Sequence, residues 1–168
     1  MPAFVTYDSN EVCELVGIGP LLLNKFVERK TYGIQPSVRS GKGRGGRRLF
    51  SPDDVFGITL VWWLFESGLR SNVIQSVLDG ICQAKSARAD QAAKRLRGRG
   101  VQTVRIQTQP RGMLRGGLKI ARHLVFLITQ EKPNVLRPVA IALEIPVGYL
   151  YSMLLDKMKK LTGLPEGE

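Results

Sequence analysis

The chain has 168 residues, 43% of them hydrophobic, and carries 25 Lys and Arg against 14 Asp and Glu, a formal net charge of +11. That is enough apolar material for one compact domain, or for a small domain and a second module, and it excludes a disordered tail. The cationic balance points to a polyanion, because Lys and Arg that neutralise phosphates release the counterions condensed on nucleic acid.

Asp8, with Glu11 three residues on, forms a capping-box pattern, and Val12, Leu15 and Val16 mark one face of a short helix that Gly17-Ile18-Gly19 ends. Pro20 suits the first turn of a second helix, whose Leu23, Phe26 and Val27 repeat the i, i+3, i+4 apolar stripe. Two short helices joined by a three-residue, glycine-bearing turn match the helix-turn-helix pattern. On the second helix Leu21, Asn24, Lys25, Glu28 and Arg29 lie opposite the stripe, so they are the side chains available to a groove. Asn24 has the chemistry to read adenine bidentately, and Lys25 and Arg29 that to take guanine or phosphate.

From Lys30 to Arg48 there is no acidic residue; Lys30, Arg39, Lys42, Arg44, Arg47 and Arg48 are set among five glycines, which predicts a flexible basic hairpin. Ser51-Pro52-Asp53-Asp54 supplies an N-cap, an N1 proline and two first-turn acids, so a third helix is expected from there to about Ser67, apolar nearly all round. Gly68 stops it, and Ser71 is expected to cap a fourth helix striped by Val73, Ile74, Val77, Leu78, Ile81 and Cys82. Lys85 to Arg122 holds eleven cations and one acid, Asp90, so nearly all the net charge resides there. Short runs at 101–108, 124–129 and 139–143, rich in β-branched residues and punctuated by Gly and Pro, predict three strands, and Pro146 to about Leu161 predicts a last amphipathic helix.

The helix pair, the basic hairpin and the run Arg47-Arg48-Leu49-Phe50-Ser51-Pro52-Asp53-Asp54-Val55 together resemble the start of MerR-family regulators, over roughly residues 5 to 80. The resemblance implies a winged helix-turn-helix in which the second helix enters the major groove, the wing holds the DNA backbone and a later helix mediates dimerisation. On it, Arg48 takes the place of the wing arginine that grips a phosphate, and Phe50 stands where the family often has tyrosine. The chain departs from the pattern in opening the second helix with Pro20-Leu21-Leu22, which is not polar, and in having Asn24 where arginine is usual.

The expected fold class is therefore mainly α with a small β component. Residues 1–84 are expected as the winged helix-turn-helix, 85–100 as a basic helix or linker, and 101–168 as an α+β dimerisation or effector module. The expected function is sequence-specific binding of double-stranded DNA by a homodimeric bacterial transcriptional regulator, through Asn24, Lys25, Arg29, Arg39, Lys42, Arg44, Arg47 and Arg48. Two alternatives stand beside it: a DNA-binding module of a phage or mobile-element packaging or excision machine, and a sequence-blind nucleoid or RNA-associated protein.

No cofactor, metal or catalytic chemistry is expected, since no acid, base and nucleophile converge and Gly41-Lys42-Gly43-Arg44-Gly45-Gly46 lacks the order of a phosphate-binding P-loop. The only histidine, His123, has no ligand cluster around it, and Trp62 and Trp63 read as core residues in so apolar a helix. Cys13 and Cys82, the only cysteines, fall at apolar helical positions and read as small buried hydrophobes, which fits a cytoplasmic protein. The longest apolar stretch, Val55 to Phe65, is too short to span a bilayer, so no membrane partner is expected. Any small-molecule effector is left unidentified by these residues.

Overall fold

A computed structural model describes residues 5–28, 31–36, 38–40, 47–110, 121–128 and 142–162. Local sequence chemistry sets the first elements. Helix α1 (Ser9–Val16) is opened by the Asp8–Glu11 capping box: Asp8 Oδ1 accepts from the amides of Asn10 (2.9 Å) and Glu11 (3.0 Å), and Glu11 accepts from the Asp8 amide. It ends at Gly17, whose φ of 78° is a left-handed cap that a Cβ would strain. Gly17-Ile18-Gly19 leads directly into α2 (Pro20–Glu28), and Leu23 and Phe26 turn inward from it.

A single 3-10 turn (Thr31–Gly33) then seats Tyr32 in the core, edge-on to Phe26, at a positive φ of 66°. Strands β1 (Val38–Ser40) and β2 (Arg47–Leu49) pair antiparallel, Val38 opposite Leu49 and Ser40 opposite Arg47. Tyr7 and Phe50 exchange backbone hydrogen bonds of 2.8 and 2.9 Å, so the N-terminal segment is fastened beside the returning strand. The hairpin tip, 41–46, lies outside the described residues.

Helix α3 (Pro52–Glu66) begins at the expected cap, with Ser51 and Asp54 bonded reciprocally. It is the axis of the core: Val55, Phe56, Ile58, Leu60, Val61 and Leu64 are all at most 1% exposed. Its one buried hydroxyl, Thr59 Oγ1, is satisfied by the Val55 carbonyl at 2.9 Å. Trp62 and Trp63 pack only partly buried against this core. Helix α4 (Ser71–Cys82) buries Ile74, Val77, Leu78 and Ile81. Ser71 is not its N-cap as expected: it is the first helical residue, Arg70 occupies the cap position, and no side chain closes that end.

Residues 85–100, expected as a basic helix or linker, hold α5 (Ala89–Gly98), whose Ala89, Ala92, Ala93 and Leu96 face the core. The small side chains let α5 lie directly on α3. At Gly57 a Cβ would stand 2.6 Å from the Ala89 carbonyl carbon and 2.9 Å from the Asp90 nitrogen, both backbone atoms that cannot swing away.

Three strands follow, as expected. β3 (Thr103–Pro110) is central, with β4 (Ala121–Ile128) antiparallel on one side and β5 (Ala142–Ile145) antiparallel on the other. The expected third strand, 139–143, begins in residues outside those described; the observed one extends to Ile145, which is fully buried opposite Val104. Helix α6 (Val147–Thr162) returns to the N-terminal half: Tyr151 meets Phe56 edge-on at 5.0 Å, and Lys157 Nζ donates to the Leu15 carbonyl near the end of α1 at 3.1 Å. Buried side chains from Tyr7 to Met158 form one continuous cluster. The fold is mainly helical with small antiparallel sheets, and no helix among the described residues is long and apolar enough to cross a membrane.

The α3–α5 contact gives a stability prediction. Gly57→Ala gains about 1 kcal/mol of helix propensity, but overpacking against backbone costs roughly 1–3 kcal/mol, and Gly57→Val costs more. Urea unfolding should show both variants destabilised in that order; an Ala variant more stable than wild type would mean that the two helices separate freely.

Candidate nucleic-acid interface

The outer face of α2 presents Leu21, 87% exposed, and Lys25, with the half-buried Asn24 between them. Spacings of three and four residues place these side chains on one face, opposite Leu23 and Phe26. The returning strand β2 joins this face: Arg48 Nη1 donates to Asn24 Oδ1 at 2.9 Å. Arginine can only donate, so the amide of Asn24 is turned with its oxygen toward Arg48 and its Nδ2 hydrogens away. Two residues singled out separately in the sequence are thus one hydrogen-bonded unit, and one of the acceptor positions that Asn24 would use on adenine is already taken.

Arg47, the neighbour of Arg48, turns to the N-terminal segment. Its Nη2 lies 2.7 Å from Asp8 Oδ2. Asp8 therefore does two jobs, capping α1 with one oxygen and holding the hairpin strand with the other. The Glu11 backbone amide and then the Arg47 side chain hold its carboxyl below the usual carboxylate range. Nothing in the sequence around Asp8 marks this pairing, which spans 39 residues. Arg39 stands opposite Arg48 in the hairpin register, with its side chain outside the described residues; Arg29, Lys42 and Arg44 are also outside them.

Four of the seven cations whose side chains are described in the basic stretch after α4 have internal partners. Arg95 donates to the Cys82 carbonyl and to Gln83 Oε1, both at 3.0 Å, and so closes the C-terminal end of α4, where the helix dipole favours a cation. Arg97 pairs with Asp53 in the first turn of α3 at 3.0 Å, Arg88 with Asp90 at 2.9 Å, and Arg105 with Glu144 across the β3–β5 pair at 2.6 Å. Lys85, Lys94 and Arg99 are exposed. The described part of this stretch is thus partly a set of structural ties.

Cys13 and Cys82 are free and half-buried, where the sequence suggested full burial. Burial raises both thiol pKa values; at Cys82 the Arg95 charge opposes the rise. Among the described residues no group of three or more His, Cys, Asp and Glu is placed to hold a metal ion. No protein-family model matches the chain, and no curated protein matches it either.

The Asp8–Arg47 pair can be tested by pH. Asp8→Asn keeps a good N-cap acceptor and removes the charge together with the second oxygen that accepts from Arg47. Because the folded-state pKa is lowered, the wild-type advantage is present above the unfolded value of about 3.9 and is lost as pH falls through the folded value. Unfolding curves should separate by about 0.2–1 kcal/mol at neutral pH, as for exposed pairs, and converge in acid; a gap independent of pH would remove the charge from the explanation.

Proposed function

We propose that this chain is a DNA-binding protein: a winged helix-turn-helix of MerR type that acts in the cytoplasm as a homodimeric bacterial transcriptional regulator. The observation that carries this reading is the joint face of α2 and β2, in which Lys25, Asn24 and the hydrogen-bonded Arg48 stand side by side. In this reading α2 enters the major groove, Lys25 meets guanine or phosphate, and the hairpin with Arg39, Lys42, Arg44, Arg47 and Arg48 follows the backbone. A symmetric dimer would read two half-sites one helical turn, or a multiple of it, apart.

The tie between Asn24 and Arg48 favours one second reading, binding that is blind to sequence, because a residue occupied within the protein has fewer groups left for a base edge. Selection of bound sequences from a random duplex library, repeated at two salt concentrations with the oligomeric state recorded, separates the two. The regulator reading expects a dimer and an enriched inverted repeat. Arg48→Ala should weaken binding to every sequence and flatten the salt dependence by about one phosphate contact, whereas Asn24→Ala should change the preferred sequence. Salt-sensitive binding without an enriched motif would replace the regulator by a nucleoid or RNA-associated protein.

A further inference from the structure

Leu21 is the most exposed large hydrophobic side chain among the described residues, at 87% against 68% for Tyr149, 44% for Val5 and 39% for Phe65. An isolated exposed leucine is ordinary on a protein surface. This one, however, stands in the first turn of α2, on the same face as Asn24 and Lys25, while its neighbours Leu22 and Leu23 turn toward the core. Recognition helices meet base edges with their N-terminal residues.

The major-groove edge of a base pair offers hydrogen-bonding atoms to polar side chains and one apolar group, the 5-methyl of thymine, which sits beside the O4 acceptor. The face of α2 carries the matching set. Leu21 is its apolar member, and Asn24, with its oxygen held by Arg48, has Nδ2 hydrogens left to donate to an acceptor such as O4. Lys25 adds a cation beside them.

We propose that Leu21 is a specificity-determining residue that reads thymine through its 5-methyl group. The assignment rests on the DNA-binding reading above, and it explains why the helix opens with an apolar residue at a position turned to solvent. Burying one methyl-sized group against a side chain corresponds to about a fourfold change in affinity.

The test uses the full chain and the duplex pool it enriches, copied once with thymidine and once with deoxyuridine, which lacks only the methyl group. Wild type should bind the deoxyuridine copies of its inverted-repeat motif about sixteenfold more weakly, about fourfold for each half-site, with each fourfold loss traced to one thymine by single substitutions. Leu21→Ala, whose truncation leaves the core untouched, should keep its far-ultraviolet circular dichroism and bind both copies equally. Equal binding of the two copies by wild type overturns the proposal while leaving DNA binding intact. Full discrimination retained by Leu21→Ala also overturns it, and dimer dissociation in that variant with discrimination unchanged assigns the leucine to a protein contact instead. Absence of any duplex binding overturns this proposal and the DNA-binding reading together.

Discussion

The approach of α5 to α3 at Gly57 is the constraint on which the rest of the architecture depends. Helix α3 is buried along most of its length, and α1, α4, α5 and α6 all pack on its surface. Hydrogen as a side chain at Gly57, and alanine at 89, 92 and 93, let one of them lie at backbone contact. That packing brings Arg97 to Asp53 in the first turn of α3, and Arg95 to the exposed end of α4. Charges that look like a free basic surface in one dimension therefore become links between helices in three.

The same economy operates at the hairpin. Asp8, Arg47, Asn24 and Arg48 form two short ties that fasten strand β2 to the start of α1 on one side and to the face of α2 on the other. Of these, the exposed Asp8–Arg47 pair is worth only about 0.2–1 kcal/mol in water. Their importance is geometric: they define which atoms of Asn24 and Arg48 face outward, and so what kind of edge the surface can complement.

What was legible in the sequence was what local chemistry decides. The caps at Asp8 and Ser51, the stop at Gly17 and the apolar periodicities of α1 to α4 and α6 are short-range signals, and they placed those elements within a residue or two. Helix α5 was faint because its buried stripe is mostly alanine, too weakly apolar to stand out among arginines, and its real signal was smallness opposite a glycine. Ser71 was a plausible cap by residue type, but the backbone starts the helix one residue earlier than that role needs. The Asn24–Arg48 and Asp8–Arg47 pairs and the register of β5 on β3 join residues 24 to 41 positions apart, and no periodicity reports such meetings.

The bond from Lys157 to the Leu15 carbonyl joins residues 142 positions apart in the chain. Leu15 lies in the last turn of α1, two residues before the glycine that turns the chain into α2, so the ammonium group of the last described helix is seated at the pivot of the first two. A shift of α6 along its axis must either break that bond or drag the pivot with it. One bond thus ties α6 to the pivot, and the free energy it lends to the one it lends equally to the other.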